Sequence, residues 1–412
     1  MTCSPVYATI SLEDVSRRQW DAIVIGAGPA GSVAALVLAR LGRRVLLVDR
    51  AAFPREKACG CCLSLAAVQA LGQLGLSRVL EQHHAESIGA LDLRVAGRRL
   101  EVPLKGGRMI SRRAFDAALI SEAIGSGVAF LPQCIAGVGE ADVLSRAVQI
   151  STGDLPFDAR ARLVVAAGGL GFPIDGRGQK VQRRERRWIR SRIGGAAIID
   201  GDEVELPRGT VRMMVARRGY VGLARLEDGR FAVGGAFDAA LVAECGGLGR
   251  AAAQVLEETG EAVPKDVEPA HWLGVPHLTR RPHHVTAERV LAVGDAAGFV
   301  EPFTGEGMTW AIQSAASAAT LADSFLQEHG AAWDGVVERE WGRLHRSLVR
   351  SRQMRCRVIA GVLRHPMLLQ ACMMAGGLVP RLSRAVVDHI HAPGAAIRIL
   401  ASVPLDRAGG QA

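Results

Sequence analysis

The chain contains few aromatic residues: Phe, Trp and Tyr together make up 4% of its 412 residues. Ala, Gly, Val and Leu dominate instead, and this composition favours the close layers of a parallel α/β fold over an aromatic-rich binding surface. A long apolar run is also missing. The nearest one, after Arg364, is interrupted by His365, Pro366 and Gln370, whereas a membrane-spanning helix needs about 20 apolar residues. We therefore expect a protein that is soluble or peripheral at a membrane.

No secretory leader is visible at the start of the chain. Residues 1–20 lack a long apolar core and contain Glu13, Asp14, Arg17 and Arg18, so we expect them to form a loose polar arm. The eight cysteines also lack the regular spacing of a secreted disulfide framework. Both absences predict a cytoplasmic protein.

Three further signatures are missing. The eleven histidines show no ligand spacing with cysteines or acids, so no metal site is predicted. There is no Gly-x-Ser-x-Gly nucleophile elbow, and no nucleic-acid-binding motif accompanies the formal charge of +9. That charge suits an anionic partner such as a nucleotide cofactor, an acidic lipid surface or an acidic protein, although solvated arginines explain most of it.

A glycine-rich stretch near the start of the chain is the strongest signal that is present. An apolar run ends in Gly26-x-Gly28-x-x-Gly31, a helical pattern follows, and a second apolar run stops at Asp49. This βαβ pattern is typical of dinucleotide binding: the glycines allow a tight turn, close backbone approach to a pyrophosphate and close helix packing, while the acid accepts from a ribose hydroxyl. The cofactor contacts predicted here are Gly26, Gly28, Ala30, Gly31, Asp49 and Arg50.

A second informative stretch covers residues 291–308. An apolar strand ends in Gly294-Asp295, and a loop rich in Gly and Pro leads to a helix that starts near Glu306. This stretch resembles the ribityl-binding motif of flavoproteins of the aromatic-hydroxylase superfamily, and its continuation is most similar to the geranylgeranyl reductases. Asp295 can accept from a ribityl hydroxyl, and N–H groups at the helix start can stabilise charge on a reduced flavin. The resemblance implies FAD as cofactor and contacts from Gly294, Asp295, Pro302, Gly305, Gly307 and Met308.

Two further segments resemble the same family. Arg112-x-x-Phe115-Asp116 is similar to a helix start whose arginine contacts FAD. Cys59-Gly60 resembles a loop that lies beside the flavin ring and, in reductases, places a cysteine near the substrate. The resemblance therefore implies that Arg112, Cys59 and Gly60 contact the cofactor and that Cys59 is catalytic.

The two cysteines that follow have no role in this family. We interpret Cys61 and Cys62 as small buried residues in a tight loop. The segment from Cys59 to Cys62 is formally a C-x-x-C, so a redox disulfide remains an alternative.

The chain departs from the family pattern in two places. A second cofactor signature usually carries Asp-Gly after a strand, but the matching strand here ends in Ala167-Gly168-Gly169, which leaves its contact with FAD or NAD(P)H open. In the Tyr-x-Trp-x-Phe-Pro sheet motif of the geranylgeranyl reductases, Tyr220 is retained and is predicted to be catalytic, whereas Gly222 replaces the tryptophan. We expect this replacement to widen the substrate pocket. The tryptophan pair and lysine of flavin-dependent halogenases are not recognisable.

The predicted fold is α/β: a glutathione-reductase-type FAD-binding Rossmann domain with an inserted antiparallel β-sheet substrate domain and a helical C-terminus. Consecutive β runs between residues 195 and 236 predict the sheet, and a helix over Leu241–Glu258 is expected to close it. A basic block, Arg177–Arg192, is interpreted as a solvated loop. The predicted boundaries are a polar arm over 1–20, a discontinuous FAD-binding domain over 21–175 and 285–330, a substrate-binding sheet over 176–284 and a helical region over 331–412.

The favoured function is flavin-mediated reduction of a C=C bond in a hydrophobic small molecule. Only one Gly-x-Gly-x-x-Gly is present, so NAD(P)H as electron donor would bind transiently. The alternatives are an FAD-dependent monooxygenase that hydroxylates an aromatic or polyketide-like substrate, and a non-catalytic flavin electron-transfer protein. Basic and apolar residues interleave over 349–364, which predicts a helix packed on the FAD domain or, alternatively, a surface that docks on an anionic membrane.

Overall fold

The computed structural model describes residues 4–153, 156–175, 191–280, 282, 284–301, 303, 305–327 and 333–378. The described residues form two β-sheets with helices packed on both. The strands are β1 (Trp20–Ile25), β2 (Val45–Val48), β3 (Cys62–Leu63), β4 (Glu86–Val95), β5 (Arg98–Met109), β6 (Ala129–Leu131), β7 (Ile135–Ala141), β8 (Arg146–Ser151), β9 (Phe157–Ala166), β10 (Ile193–Ile199), β11 (Thr210–Ala216), β12 (Gly219–Arg225), β13 (Phe231–Phe237), β14 (Leu273–Val275), β15 (Thr286–Ala287) and β16 (Val290–Ala292). The α-helices are α1 (Leu12–Arg17), α2 (Pro29–Arg40), α3 (Leu65–Gln73), α4 (Ser77–Gln82), α5 (Arg112–Gly125), α6 (Ala239–Cys245), α7 (Leu248–Glu258), α8 (Gly307–Gln327), α9 (Val336–His345), α10 (Ser351–Val362) and α11 (Pro366–Leu378).

The first sheet is built around β1, which lies between β2 and β9 and is parallel to both. Its order is β15-β16-β9-β1-β2-β6, and β7 and β8 form a hairpin beside β9. Every residue of β2 is apolar and buried, as expected for a parallel strand covered on both faces. Helices α2, α5 and α8 pack on one face, and α1 and the hairpin contribute to the core on the other. The carboxyl ends of the parallel strands meet at one edge, where ligands bind in such sheets.

Helix α2 carries the chain from β1 to β2 across the centre of this core. Gly28 is its N-cap and Pro29 its first residue, a position where the missing proline N–H has no intrahelical partner to lose. All residues from Pro29 to Leu38 are buried, because α2 lies between the sheet, α5 and α8. Each buried Val or Leu contributes about 1.5–3 kcal/mol, so this helix is held rigidly beneath the glycine loop.

The second sheet has the order β14-β10-β13-β12-β11-β4-β5-β3. Its neighbouring strands are antiparallel except β4 and β11, which are parallel. Helix α7 covers one face through Val255 and Leu256. The opposite face, which carries Met213 and Tyr220, lines a large cavity between the two sheets.

Two features differ from the sequence prediction, and a third prediction is untested. Strands β3, β4 and β5 belong to the second sheet, so the two sheets are more interleaved along the chain than the predicted boundaries, which placed all of 21–175 in the FAD-binding domain. The predicted helix over Leu241–Glu258 is two helices, because Gly246 ends α6 in the left-handed conformation (φ 73°) and Gly247 precedes α7. The predicted basic loop falls largely on residues 176–190, which lie outside the described residues.

The N-terminal arm is not loose, and this prediction is wrong for the residues from Ser4 onward. Ser11 caps α1 by accepting from the N–H of Asp14, and Val15 is fully buried against the first sheet. Val6 pairs with the backbone of Phe53. Sparse apolar residues anchor the segment despite its polar composition.

The described part of the predicted helical C-terminus, 333–378, contains α9, α10 and α11. Trp341 is fully buried and its indole Nε1 donates to the carbonyl oxygen of Ala292 at 3.0 Å, which fastens α9 to the end of β16. Leu363, Leu369 and Met373 of the last segment pack with residues of the second sheet. Within the described ranges, no helix combines the length and apolarity needed to cross a bilayer.

Candidate functional site

The glycine loop after β1 has room for glycine alone at two positions. A Cβ on Gly26 would lie 2.4 Å from the carbonyl oxygen of Ala167, and one on Gly31 would lie 1.7 Å from the carbonyl oxygen of Gly26. Gly26 also has φ 102°, a conformation that side chains disfavour. The loop therefore folds tightly between the ends of β1 and β9, and the first turn of α2 presses directly against it.

Two guanidinium groups approach the loop at Gly28. A Cβ there would lie 3.7 Å from Nη2 of Arg55 and 3.8 Å from Nη2 of Arg112, so the space above Gly28 is open and faces two cations. Arg112 donates to both carboxylate oxygens of buried Asp116, at 2.7 and 2.8 Å, and Arg55 comes within 3.4 Å of the same carboxylate. Both guanidinium groups face the N-terminus of α2, an arrangement that suits a pyrophosphate.

Asp49 lies at the end of β2, as predicted. Its carboxylate accepts from the N–H of Ala27 at 2.6 Å and from that of Ala51 at 2.8 Å. It therefore fixes the glycine loop as well as lining the cavity, and its remaining lone pairs are those available to a ribose. Arg50 is exposed at the cavity edge. Ala30 lies on α2, and a Cβ on Gly294 would come within 2.8 Å of its methyl group.

The predicted Gly294-Asp295 motif opens a 3-10 turn after β16. Gly294 has φ 58° and donates its N–H to Oγ of Ser314 at 3.0 Å, which ties the turn to α8. Burial raises the pKa of Asp295, while the nearby charges of Lys57 and Arg112 favour its ionised form and oppose the rise. Burial and the charge of Arg55 lower the pKa of Lys57. The motif thus presents a half-buried acid to the cavity, flanked by two basic groups.

Helix α8 begins at Gly307 with its N-terminus at the cavity. Gly305 has φ 69°, and a Cβ on Gly307 would lie 3.2 Å from the ring of Phe299. Met308 is 7% exposed and also lines the cavity. Pro302, the remaining predicted contact of this loop, lies outside the described residues. The first N–H groups of α8 point out of the helix and give this end of the cavity a positive dipole.

The loop that carries Cys59 and Gly60 crosses the cavity from the first sheet to the second. A Cβ on Gly234 of β13 would lie 3.3 Å from Cα of Gly60, so the loop rests on the bare backbone of the sheet. The Cys61 side chain lowers the pKa of Cys59 to about 6 against the effect of burial, and the charge of Arg112 and the N–H of Cys61, which donates to Sγ of Cys59 at 3.3 Å, lower it further. These contacts favour the thiolate form of Cys59.

Tyr220 lies farther along the same face, on β12. It is 4% exposed, and its ring meets that of Phe303 edge to face at 5.2 Å. Burial and the charge of Glu301 raise its pKa well above the ordinary value, so Tyr220 keeps its proton at neutral pH. Tyr220 and Gly222 are two positions apart on one strand, which places them about 7 Å apart on the same face.

The space above Gly222 is not empty. A Cβ on Gly222 would lie 2.6 Å from Sδ of Met213, its partner on β11. The thioether fills part of the volume that the missing tryptophan was expected to leave. The predicted widening is therefore smaller than the loss of an indole would suggest.

Sequence reasoning missed several residues of the site. Arg55 and Lys57 stand in the loop that was singled out for Cys59, but their position opposite Gly28 and Asp295 arises from the fold. A charge cluster also lies behind Tyr220: the buried side chain of Arg192 contacts buried Glu301 at 3.4 Å and the more exposed Asp238 at 3.1 Å. Arg364, at the end of α10, approaches Glu301 at 3.4 Å. No local pattern in the sequence signals that cluster.

One cavity of about 1750 Å³ joins these parts. One end is polar and is lined by Gly28, Asp49 and Arg112; the other is apolar and is lined by Leu93, Leu369 and Met373. The donor set at the polar end fits FAD: cations and a helix N-terminus for the phosphates, and carboxylates for ribose and ribityl hydroxyls.

We expect Asp295→Asn to weaken FAD binding by about 10-fold or more. A hydrogen bond from a hydroxyl to a charged carboxylate contributes about 1.5–3 kcal/mol, and the variant loses that charge. The stability of the apoprotein should not fall, since burial of the carboxylate is costly. Fluorescence titration of apoprotein with FAD and denaturant unfolding measure the two quantities. Asp158→Asn, at an exposed position on β9, is the matched control; equal FAD affinity of both variants would contradict the role of Asp295.

A family model described as an FAD binding domain matches residues 19–116. The matched segment runs from β1 through the glycine loop and α2 to Asp116. It therefore contains the polar end of the cavity up to the arginine–carboxylate pair.

Two curated relatives match over three quarters or more of the chain. Menaquinone reductase of Mycobacterium tuberculosis is 29% identical over 360 residues, which cover 78% of this chain and 81% of the relative. Digeranylgeranylglycerophospholipid reductase 1 of Methanothermobacter thermautotrophicus is 25% identical over 338 residues, covering 75% and 78%. Among solved structures, the flavin-dependent brominase Bmp2 superposes with a TM-score of 0.72 at 16% identity, over 93% of this chain and 97% of its own. At that identity the likeness concerns the fold.

Proposed function

We propose that this chain, an FAD-dependent oxidoreductase, reduces a C=C bond in the isoprenoid chain of a lipid. The predicted class is confirmed by the matched domain and by the relatives, which place the chain among flavoenzymes of the superfamily that includes the geranylgeranyl reductases. FAD as cofactor is likewise confirmed at the level of the domain. The substrate and the direction of the chemistry are the proposal.

The relatives support an isoprenoid substrate through what their names have in common. One is named for menaquinone and the other for a digeranylgeranyl glycerophospholipid. The two molecules differ in their head groups, a quinone in one and a phosphoglycerol in the other. They share long unsaturated isoprenoid chains, and both relatives are named reductases. An enzyme that acts on the chain rather than on the head group accounts for both.

The single observation that carries the proposal is the continuity of the cavity. From its polar end the cavity continues past Cys59 and Tyr220. It then opens into an apolar chamber, whose walls are the second sheet and helices α10 and α11. An apolar chamber of this kind takes a hydrocarbon chain and excludes water, which protects a hydride transfer. We further propose that the second sheet forms the substrate domain anticipated from the sequence.

In this proposal, one set of residues binds the cofactor and another acts on the substrate. Arg55 and Arg112 hold the phosphates above Gly28, and Asp295 orients the ribityl chain. FAD, when bound, supplies the hydride chemistry. Tyr220 keeps its proton in the apolar chamber and would deliver it to the second carbon of the double bond. Hydride and proton together saturate one double bond, and NAD(P)H remains the proposed donor of the two electrons.

Peripheral contact with a membrane is part of the proposal. Val358 and Cys372 line the cavity and are also exposed, so the chamber reaches the surface between α10 and α11. Met367 nearby is 85% exposed and Leu368 49%. An apolar surface at the chamber entrance would allow a lipid to enter from a bilayer.

The test uses FAD-loaded protein and two lipids, menaquinone with an unsaturated side chain and a geranylgeranyl glycerophospholipid. Chemically reduced enzyme is mixed with each lipid under anaerobic conditions, and the mass of the lipid product is measured by mass spectrometry. A gain of two hydrogens that fragment ions place in the isoprenoid chain supports the reductase, whereas a gain confined to the quinone ring of menaquinone contradicts it. Incorporation of ¹⁸O after admission of ¹⁸O₂, with no hydrogen gain, would establish the monooxygenase instead. If neither lipid changes the rate at which the reduced flavin is reoxidised, the result favours the non-catalytic electron-transfer protein.

Gly222→Trp is expected to lower kcat/KM for a long isoprenoid by about 10-fold or more, with unchanged FAD content, because the indole must share space with Met213. Turnover of the two lipids above is the measurement. The double variant Gly222→Trp/Met213→Ala should recover part of the loss, since the thioether is removed. If the single variant is as active as the parent, the isoprenoid does not pass this part of the sheet.

A further inference from the structure

Cys59 and Cys61 lie on the same side of the loop that crosses the cavity. The N–H of Cys61 donates to Sγ of Cys59 at 3.3 Å, and Sγ of Cys61 lies 3.7 Å from the carbonyl oxygen of Cys59. Cys61 has φ 58°, a left-handed conformation that turns its side chain back toward Cys59. The intervening Gly60 has no side chain, and nothing lies within 4 Å of where its Cβ would stand, so the loop has room to tighten.

Cys62 faces elsewhere, although it completes the formal C-x-x-C. Its sulfur donates to the carbonyl oxygen of Gly60 at 3.2 Å and packs toward Ile88 and Met109. Cys61 instead shares an apolar cluster with Cys59. The sequence alternative of a Cys59–Cys62 disulfide is therefore disfavoured by the side-chain directions.

The two sulfurs also differ in charge. Arg112 and the hydrogen bonds from Cys61 favour the thiolate of Cys59, whereas the pKa of Cys61 is raised well above the ordinary value by the same contact and by burial. The contacts therefore favour Cys59 as the nucleophile and Cys61 as its protonated neighbour. This is the division of roles found in peroxide-reactive dithiols.

We propose that Cys59 and Cys61 form a reversible peroxide-oxidised disulfide at the cofactor site. The oxidant is hydrogen peroxide, which reaches the sulfurs through the cavity. The Cys59 thiolate attacks one peroxide oxygen, an S–O bond forms as the O–O bond breaks, and the other oxygen leaves as water after taking a proton from solvent. The Cys61 sulfur then attacks the sulfenic acid, the S–S bond forms as the S–O bond breaks, and the thiol proton leaves with the oxygen as a second water. Two thiols lose two electrons and the peroxide gains them.

Formation of this bond has a consequence for the site. It removes the anionic sulfur from beside Arg112 and ties the loop at Gly60, which rests on β13. Catalysis should therefore stop until a thiol reductant restores the pair. The inference does not depend on which substrate the enzyme reduces.

FAD-loaded protein is treated with one equivalent of hydrogen peroxide and digested with trypsin. The mass of peptide 58–78, which contains all three loop cysteines, is then measured by mass spectrometry. Parent protein and Cys62→Ser should each lose two hydrogens from this peptide, and dithiothreitol should reverse the loss. Cys61→Ser should lose none and should instead trap a sulfenic acid at Cys59 that dimedone labels. Cys59→Ser should show neither product.

Two results would overturn the proposal. One is loss of the disulfide in Cys62→Ser with its retention in Cys61→Ser, which would assign the pair to Cys59 and Cys62. The other is direct oxidation of the parent to sulfinic acid, or no oxidation at all. Cys61 is 2% exposed, so Cys61→Ala serves as a second variant if the serine is poorly accommodated, and circular dichroism confirms that each variant is folded.

Discussion

Gly31→Ala is expected to abolish stable FAD binding. The new Cβ would lie 1.7 Å from the carbonyl oxygen of Gly26, and that oxygen belongs to backbone fixed between β1 and β9. The first turn of α2 must move away from the loop, at a cost of about 3 kcal/mol or more. If that strain falls on the bound state, FAD affinity drops by more than about 100-fold. The ratio of FAD absorbance to protein in the purified variant, followed by titration with added FAD, measures the effect.

The matched control is Gly125→Ala at the end of α5. Nothing lies within 4 Å of a Cβ at that position, and its φ is not left-handed. Alanine there should leave FAD content unchanged and raise stability slightly, by about 0.5–1 kcal/mol. If Gly31→Ala purifies with the same FAD content as this control, the loop accommodates the added methyl group without loss of FAD affinity, and the prediction is wrong.

This contrast explains why part of the site can be predicted from the sequence. The glycine loop and the Gly294-Asp295 turn make demands on a few consecutive residues, because backbone conformation and close approach select glycine locally. Ser111 likewise caps α5 through a local contact, by accepting from the N–H of Ala114 at 3.1 Å. The carboxyl ends of parallel strands lie at the same edge of a sheet. The sequence alone therefore predicts that the glycine loop and the Gly294-Asp295 turn lie close together.

The rest depends on contacts between distant segments. Arg55 reaches Gly28 only because its loop folds over α2, and Met213 fills the space above Gly222 only because β11 pairs with β12. The fully buried Trp341 ties α9 to β16, yet nothing in its neighbourhood along the chain marks it as structural. Such residues are selected by packing, which a local pattern does not encode.

Arg112→Ala is expected to impair stability, cofactor binding and the charge of Cys59 together. Asp116 is fully buried, and its two bonds to Arg112 at 2.7 and 2.8 Å are lost, which leaves only Arg55 at 3.4 Å. Removal of one partner from a buried ion pair costs about 3–5 kcal/mol. Denaturant unfolding of the apoprotein measures this loss, and FAD titration should show weaker binding because one phosphate cation is gone.

The third effect separates Arg112 from a purely structural residue. The pKa of Cys59 is about 6, chiefly through its hydrogen bond from Cys61 and partly through Arg112. Because the folded pKa is below the ordinary value of 9.0, ionisation of Cys59 stabilises the fold at high pH, and that contribution is lost as pH falls through about 6. Without Arg112 the Cys59 pKa should rise, so the pH midpoint of Cys59 alkylation by iodoacetamide should shift upward.

The double variant Arg112→Ala/Asp116→Ala distinguishes these effects. It removes the orphaned carboxylate, so most of the lost stability should return. FAD affinity and the low alkylation midpoint of Cys59 should not return, since both depend on the positive charge at 112. Recovery of all three in the double variant would mean that Arg112 serves only to neutralise Asp116. Recovery of stability alone would identify Arg112 as the charge that couples the phosphate end of the cofactor site to the thiolate beside the substrate.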